Sequence, residues 1–192
     1  MYERFNEAIK FATDAHAGQL RKMTHIPYIL HPMEVASVIA TMTTDEDVLI
    51  AGLLHDTIED CNVDPRVIKE KFGARVSALV QSETEDKLAE RPPTETWQER
   101  KEESLLMLEH THDRGVKILW LGDKLSNIRS FYRQHLEEGD AMYQTLNQKD
   151  PSKHAWYYRM IGVMLSELSE YPAYTEYMDL VAKVFEEGEK AE

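Results

Sequence analysis

The sequence predicts an all-α protein that folds as a compact bundle of several helices. Apolar residues recur at helical spacing along most of the chain, and prolines and glycines stand where such helices would begin and end. The length of 192 residues, with 42% hydrophobic and 30% charged residues, suits one globular domain with a sizeable core. We therefore expect a single helical domain over residues 1–192.

Helical patterns cover the N-terminal half of the chain. Two apolar stripes come first and contain Phe5, Ala8, Ile9 and Ala12, followed by Val35, Val38, Ile39 and Met42. Pro32 stands in the first turn of the second helix, where proline is tolerated. Thr44 and Asp47 resemble a capping box and predict a third helix that runs into the sequence LLHDTIED. A fourth helix is predicted from Asp64 to Gly73, with a proline in its first turn.

The C-terminal half shows a long loop and then further helices. Residues 83–93 are polar and contain RPP, which predicts a loop, and the segment 83–96 is a candidate lid. Thr96 would cap the next helix. Residues 115–131 predict another helix, in which only Val116–Leu121 also reads as a strand.

The chain is expected to close with two amphipathic helices within residues 152–187. They follow a second predicted loop over residues 139–151 and are separated near Pro172. The acidic end, residues 186–192, is expected to fray.

Composition narrows the classes of function. The net charge of −13 argues against a nucleic-acid polymer as partner, because such binding needs many Lys and Arg contacts to phosphates. No segment approaches the roughly 20 consecutive apolar residues of a membrane-spanning helix, and the N-terminus lacks the basic and apolar regions of a secretory signal. The lone Cys61 fits a reducing compartment. We therefore expect a cytoplasmic protein with a small-molecule partner, and the sequence leaves its oligomeric state open.

The stretch LLHDTIED places a histidine and three carboxylates directly after an apolar pair. On a helix, His55 would lie below Glu59 and Asp56 below Asp60, because residues four apart share a face. Carboxylates this close repel one another unless a cation lies nearby. Imidazole nitrogen and carboxylate oxygen together suit Mn, Fe, Zn or Co. The stretch therefore indicates a metal site.

Such a site needs further ligands, and His31 and Asp123 are the candidates. His31 stands at the start of a helix, directly before a proline, and Asp123 interrupts an otherwise apolar helical stretch. Each also has a plainer explanation, His31 as a helix cap or core residue and Asp123 as an acid at a helix start. Glu59 and Asp60 alone would be read as a solvated helix end. The coincidence of all of them beside apolar neighbours favours the metal site.

Five segments resemble successive signatures of the HD-domain superfamily of metal-dependent phosphohydrolases, in order and at similar spacing: AHAGQLRK, PYILHPMEVA, AGLLHDTIED, FGARVSALV and LGDKLSNIR. The resemblance covers about residues 1–135 and is most specific to the hydrolase domain of RelA/SpoT-type enzymes and to the small alarmone hydrolases. It implies an all-helical fold and a bound Mn ion, with Fe, Zn, Co and Ni as alternatives. The implied reaction removes the 3′-pyrophosphate from guanosine tetra- or pentaphosphate.

The resemblance also implies roles for individual residues. The metal ligands would be His31, His55, Asp56 and Asp123. Glu59 and Asp60 match an acidic pair that positions or deprotonates the attacking water. Arg21 and Lys22 match a basic pair beside the nucleotide, and Asn127 matches a residue that contacts the ligand near the metal. An ion with open coordination positions lowers the pKa of bound water and screens phosphoryl oxygens.

Further groups are candidates for holding the substrate. Lys124 and Arg129 can bind phosphates, or else they belong to a solvated helix face. The cluster Trp156–Arg159 offers a stacking surface and a guanidinium, although such clusters are more often part of a core.

The resemblance makes guanosine 3′,5′-bis(diphosphate) the leading substrate. An HD nucleotidase of another specificity is one alternative, and a non-catalytic module that binds a nucleotide through the metal is another. Because the sequence leaves no room for a synthetase domain, we expect the chain only to degrade such a nucleotide.

Overall fold

The computed structural model describes residues 2–22, 24–85, 88 and 90–185. Within these ranges the chain is a bundle of α-helices, and extended residues pair only in one bridge between Leu20 and Pro27. The all-α prediction is confirmed. The strand alternative for Val116–Leu121 is wrong, because these residues lie inside a helix of 25 residues.

The predicted helices are present in the predicted order, and Ala74–Glu83 forms a further helix that the sequence did not predict. The helices are α1 (Glu3–Ala15), α2 (Leu30–Ile39), α3 (Glu46–Leu54), α4 (Thr57–Cys61), α5 (Pro65–Phe72), α6 (Ala74–Glu83), α7 (Pro93–His110), α8 (Arg114–Glu138), α9 (Pro151–Met164) and α10 (Pro172–Phe185). The predicted loop 139–151 contains a 3-10 segment, Gly139–Thr145, and a second one covers Ser166–Leu168. The predicted frayed end, residues 186–192, lies outside the described residues.

Two helix starts differ from their predictions because a neighbouring residue sets the first turn. α3 begins after Asp45, whose Oδ1 accepts a hydrogen bond from the backbone N of Asp47 at 2.9 Å, so Thr44 is not its cap. α7 begins at Pro93, whose ring fixes a φ suited to a first turn. Thr96 therefore lies inside α7 and is buried instead of capping it.

The stretch LLHDTIED is not one continuous helix. α3 ends at Leu54 and α4 begins at Thr57, so His55 and Asp56 lie in the turn between them. The hydroxyl of Thr57 donates to the backbone oxygen of Leu54 at 2.7 Å, which satisfies a carbonyl at the end of α3. The backbone N of Asp60 still donates to the backbone oxygen of Asp56 at 2.8 Å. Helical spacing is thus kept between Asp56 and Asp60 across a local break.

Helices α2, α3 and α8 cross closely at Ile39. A Cβ atom at Gly52 would lie 2.6 Å from Ile39 Cδ1, and one at Gly122 would lie 2.8 Å from Ile39 Cγ1. Such distances are overlaps in a close-packed core, so the crossing depends on glycine at both positions. It brings the start of α2, the end of α3 and the middle of α8 to one place. Asp123 lies in that middle part of α8, so its interpretation as a helix-start acid is wrong.

The C-terminal helices share the core of the preceding ones. The hydroxyl of Tyr177 on α10 donates to the backbone oxygen of Tyr158 on α9 at 2.7 Å, and both side chains are buried. The ring of Tyr158 lies 5.6 Å, centroid to centroid, from that of Phe131 on α8. α10 begins at Pro172, as the sequence predicts.

In the described ranges, no helix has both the length and the apolar character that crossing a bilayer requires.

Candidate metal centre and active site

Four side chains converge where α2, α3 and α8 cross. His31 comes from the first turn of α2, His55 and Asp56 from the turn after α3, and Asp123 from the middle of α8. Asp123 Oδ1 lies 3.1 Å from His31 Nε2 and 3.5 Å from His55 Nε2. Asp56 Oδ2 lies 3.5 Å and 3.0 Å from the same two nitrogens. The structure thus brings together all four residues that the sequence suggests as metal ligands.

The imidazole nitrogen of His55 that faces this centre fits a metal ligand. Nδ1 of His55 donates to the backbone oxygen of Gly52 at 2.9 Å, which leaves the lone pair of the neutral ring on Nε2. Nε2 is buried and faces only the carboxylate oxygens of Asp56 and Asp123, without a hydrogen bond of regular geometry among the described residues, which is unusual for a buried polar atom. His31, His55 and Asp123 each offer a ligand atom within 4.8 Å of the others. The donor set therefore suits a divalent cation that accepts nitrogen and oxygen ligands.

Electrostatics at the centre favour positive charge. Burial lowers the pKa of His31, which therefore holds a neutral imidazole. Burial would also lower the pKa of His55, but Asp56 and Asp123 outweigh it and raise that pKa well above its usual range. The pKa of Asp123 lies well below its usual range, because Lys124 and both imidazoles outweigh the effect of burial. The centre therefore holds carboxylates that attract either a proton or a cation, and cation binding displaces the proton.

Tyr28 joins the ligand centre to the acidic pair. Its hydroxyl lies 2.7 Å from Asp56 Oδ2 and 3.1 Å from Asp60 Oδ2. Burial, followed by the charges of Asp56 and Asp60, raises the pKa of Tyr28 far above its usual range, so the hydroxyl stays protonated as a donor. Sequence reasoning missed Tyr28, although its position three residues before His31 was the available signal.

Glu59 lies beside this pair on α4. Its Oε2 accepts a hydrogen bond from the backbone N of Glu85 at 3.2 Å. Burial, then the charges of Asp56 and Glu85, raise the pKa of Glu59 above its usual value. A carboxylate with a raised pKa at the edge of a cavity is suited to accept a proton.

The centre opens into a cavity of about 370 Å³, and a second cavity of about 420 Å³ shares part of its wall. These volumes lie in the range of small-molecule sites. Several residues predicted to bind substrate line the first cavity, namely Arg21, Lys22, Asn127 and Lys124. The ligand centre contributes His31, Asp56 and Asp123 to the same wall, and the acidic pair contributes Glu59 and Asp60.

Arg21 is connected to the ligand centre through Asn127. Nη2 of Arg21 donates to Asn127 Oδ1 at 3.1 Å, and Nδ2 of Asn127 donates to Asp123 Oδ1 at 2.7 Å. The guanidinium also lies 5.6 Å from the ring centroid of Tyr28. These contacts hold a positive charge over the cavity beside the acidic pair.

Lys124 and Glu83 form a buried ion pair on the cavity wall. Lys124 Nζ lies 2.5 Å from Asp123 Oδ2 and 3.0 Å from Glu83 Oε1, and 4.6 Å from the ring centroid of Trp120. Burial raises the pKa of Glu83 to about 7, against the opposing effect of Lys124. Lys124 thus lies at the site. A substrate phosphate would have to compete with the carboxylates of Asp123 and Glu83 for its ammonium group.

Other predicted groups lie elsewhere. Arg129 does not line the cavity, because its guanidinium pairs with Glu34 and Glu176 on the outer side of α2 and α10. In the cluster Trp156–Arg159, Tyr157 and Tyr158 reach the cavity wall, whereas Trp156 and Arg159 do not.

The proposed lid over residues 83–96 is described only in part. Glu83 and Glu85 line the first cavity and Pro93 lines the second, while residues 86, 87 and 89 lie outside the described residues. The lid stays a prediction.

A basic pair on α7, Arg100 and Lys101, also lines the first cavity. Arg100 Nη1 lies 3.0 Å from Glu85 Oε2, and Lys101 Nζ lies 2.5 Å from Glu85 Oε1. Burial lowers the pKa of Lys101, although Glu85 opposes the shift. Nε of Arg100 is buried without a hydrogen-bond partner in the described part of the chain. Sequence reasoning missed this pair, because a charged run on a helix normally marks a solvated face.

Comparison with known proteins gives one family. The sequence profile of the HD domain family matches residues 8–150. A guanosine-3′,5′-bis(diphosphate) 3′-pyrophosphohydrolase from Aquifex aeolicus (strain VF5) is 37% identical over 130 residues, which are 68% of this chain and 18% of that protein. The chain spans less than a fifth of the length of the curated relatives that it matches.

Two solved structures resemble the fold. A protein from Listeria monocytogenes EGD-e superposes with a TM-score of 0.70 and 30% sequence identity, covering 81% of this chain and 99% of that one. A metazoan ortholog of SpoT that hydrolyses ppGpp superposes with a TM-score of 0.73, covering 94% of each chain. At 24% identity, the latter likeness bears on the fold alone.

Proposed function

The chain belongs to the HD domain family, and we propose that it is a metal-dependent phosphohydrolase that removes the 3′-pyrophosphate from guanosine 3′,5′-bis(diphosphate). One observation carries the proposal: the side chains of His31, His55, Asp56 and Asp123 converge, and all of them except His55 line a cavity that Glu59 also lines. The activity named for the Aquifex aeolicus relative supports the choice of substrate. The basic groups around the cavity suit a ligand with several phosphates.

The ligand set would hold the cation, and the rest of the cavity would carry out the proton and phosphate chemistry. A bound divalent cation supplies Lewis-acid chemistry, since it lowers the pKa of water and neutralises charge on phosphoryl oxygens. Glu59 accepts the proton of the attacking water, a role for which its raised pKa suits it. Asp60, held by Tyr28, orients that water from the other side.

The reaction is a simple hydrolysis. The water oxygen forms a bond to the phosphorus attached to the 3′ oxygen, and the bond from that phosphorus to the 3′ oxygen breaks. The released 3′ oxygen takes up a proton, which balances the proton that Glu59 accepts from the water. The products are guanosine 5′-diphosphate and pyrophosphate. Arg21, Lys22, Arg100 and Lys101 all line this cavity, so that the phosphates of a doubly phosphorylated nucleotide meet positive charge.

We propose Mn²⁺ as the cation, with Fe, Zn, Co and Ni as the other candidates. Two imidazoles and two carboxylates without a thiolate form a donor set that Mn²⁺ accepts. Metal analysis of the purified protein by mass spectrometry tests the identity, with the Mn content expected to exceed that of the other four metals.

The domain and its location are part of the same proposal. Residues 1–192 would form one domain, since the Arg129–Glu176 pair and the Tyr177–Tyr158 hydrogen bond join α10 to the preceding helices. The protein would act in the cytoplasm, where a lone cysteine stays reduced. Limited proteolysis and cell fractionation test these two points.

The central experiment compares products. The protein is stripped with a chelator, reloaded with Mn²⁺ and incubated with guanosine 3′,5′-bis(diphosphate), and in parallel with guanosine and adenosine monophosphates. Release of pyrophosphate from the first substrate alone supports the proposal. Orthophosphate from the monophosphates would instead identify a nucleotidase, and saturable nucleotide binding without turnover would identify a non-catalytic module.

A further inference from the structure

A chain of polar side chains lies behind His31, on the side away from the cavity. Nδ1 of His31 lies 2.9 Å from the hydroxyl of Ser126, and that hydroxyl lies 2.7 Å from Oε2 of Glu34. The side chain of His31 is only 2% exposed, and Ser126 is fully buried. The contact between His31 and Ser126 is therefore shielded from solvent, while Glu34 is partly exposed.

The direction of the hydrogen bonds follows from the chemistry of the groups. A carboxylate oxygen can only accept, so Ser126 donates its single proton to Glu34. The contact between Ser126 and His31 then requires a proton on Nδ1 of His31. In the neutral ring the lone pair is on Nε2, the atom that faces Asp56 and Asp123. The chain thus selects the tautomer of His31 that can bind a cation.

Arg129 fixes the outer end of this chain. Its Nη1 lies 3.1 Å from Oε1 of Glu34, while Nε and Nη2 lie 2.6 Å and 2.7 Å from the two carboxylate oxygens of Glu176. The guanidinium is thereby held in one plane by two carboxylates, an arrangement that arginine makes and lysine does not. Glu34 is left with one oxygen for Arg129 and one for Ser126.

The two histidines differ in what orients them. His55 donates from Nδ1 to a main-chain carbonyl, that of Gly52, which no substitution removes. His31 depends on side chains from three helices: Ser126 and Arg129 on α8, Glu34 on α2 and Glu176 on α10. Partners behind a metal-binding histidine typically contribute about 10–100-fold to metal affinity.

We propose that Arg129 is a positioning residue for the metal centre, which acts through Glu34 and Ser126 to present Nε2 of His31 to a divalent cation. The proposal rests on the metal site described above and assigns Arg129 a role that excludes contact with the substrate. It also gives α10 a function, because Glu176 holds the arginine from that helix.

The first experiment measures Mn²⁺ affinity on the full chain. After chelator treatment, Mn²⁺ alone is titrated into the wild-type protein, Arg129→Gln and Ser126→Ala by calorimetry. We expect both variants to bind Mn²⁺ roughly 10-fold more weakly or worse, the effect of losing a partner behind a metal-bound histidine. Arg129→Lys, which keeps the charge beside Glu34, should recover part of the loss.

The matched control is Arg114→Gln. Arg114 also lies on α8 and pairs with a carboxylate near the start of α10, Glu170, but it has no contact with the chain behind His31. If Arg129 were only a structural link, both arginine variants would lower the melting temperature and leave Mn²⁺ affinity unchanged. That result overturns the proposal.

A second readout separates positioning from substrate contact. At saturating Mn²⁺, Arg129→Gln should keep the wild-type KM for the nucleotide; a raised KM with unchanged Mn²⁺ affinity would mean that Arg129 binds phosphate. The imidazole nitrogen chemical shifts of His31 in the metal-free protein should report Nδ1–H in the wild type and a mixture of tautomers in Ser126→Ala. An unchanged tautomer in Ser126→Ala also contradicts the proposal. Since Mn²⁺ titration and nitrogen shifts need no substrate, failure of the proposed hydrolase activity would leave this test intact.

Discussion

The two walls of the cavity are built on different principles. The ligand side consists of His31, His55 and Asp123 at a glycine-dependent crossing of three helices, where the side chains are almost fully buried. The other wall consists of Arg100 and Lys101 on α7, held by ion pairs to Glu85. The first wall has a geometry that core packing imposes. The second has a geometry set by charges that can exchange partners when a phosphate enters.

This difference predicts unlike responses to substitution. Loss of a group on the ligand side should abolish function, because a cation site tolerates no missing ligand. Loss of a group on the α7 side should weaken substrate binding by a limited factor, because neighbouring charges remain.

The largest effect is expected from Asp123→Asn. The amide keeps the shape of the side chain but loses the charge at the centre, so Mn content should fall to background and hydrolysis should disappear. Asp113→Asn, the same change at the N-cap of the same helix, should leave both unchanged. Metal analysis and a pyrophosphate assay measure the outcome. Full Mn occupancy in Asp123→Asn would remove this residue from the ligand set.

Glu59→Gln should separate metal binding from turnover. An amide cannot accept the proton of water, so kcat should fall by about 10²–10⁴-fold while Mn content stays at the wild-type level. Glu109→Gln, on the exposed end of α7, is the control and should be neutral. A Glu59→Gln protein that loses metal and fold together would contradict the role of Glu59 as a base.

The pH dependence of kcat/KM should report the environment of Glu59. A general base works when deprotonated, and burial raises the pKa of Glu59 above its usual value. Activity should therefore be constant at higher pH and decline as the pH falls through this raised pKa, by about tenfold for each pH unit below it. A decline that begins only near the pKa of an ordinary glutamate would show that another group limits the rate. The profile is measured with Mn²⁺ kept saturating.

On the α7 side, Lys101→Gln should raise KM without changing Mn content. Losing one charged hydrogen bond of roughly 1.5 kcal/mol corresponds to about a tenfold change in KM. Lys22→Gln, at another position on the cavity wall, should have a similar effect, whereas Lys71→Gln, on the exposed face of α5, should have none. Steady-state kinetics with the nucleotide distinguishes the three. If Lys101→Gln lost its metal, the two walls would not be independent.

The smallest effect concerns a helix end far from both walls. Asp45→Ala removes the cap of α3 and should lower the free energy of unfolding by about 1 kcal/mol. Thr44→Ala, the position that the sequence favours as the cap, should change it by less than about 0.5 kcal/mol. Urea denaturation measures both. Equal losses would restore Thr44 as a cap.

The same contrast explains what the sequence could reveal. His55 and Asp56 were predictable as site residues because they directly follow an apolar run. This local pattern indicates that their side chains lie near the core. Lys101 was not predictable, because the sequence of α7 does not distinguish a lysine that faces the cavity from one that faces solvent. Arg129 shows the converse, since a basic residue close to Asp123 in sequence is turned outward by Glu34 and Glu176, which lie far away along the chain.

Helix ends were predictable to within a few residues, and their causes are local. Pro93 and Asp45 set the first turns of α7 and α3, and each has a neighbour with a competing signal, Thr96 and Thr44. The break after Leu54 depends on the hydroxyl of Thr57, which donates to the backbone oxygen of Leu54. The periodicity of apolar residues carries no information about this hydrogen bond.

The crossing of α2, α3 and α8 at Ile39 links the geometry of the candidate metal site to the packing of the core. Because a methyl group at position 52 or 122 would overlap the side chain of Ile39, the spacing between the two candidate ligand nitrogens depends on how closely the three helices approach. A change of ion preference in this scaffold would therefore involve the packing around Ile39 as well as the donor residues.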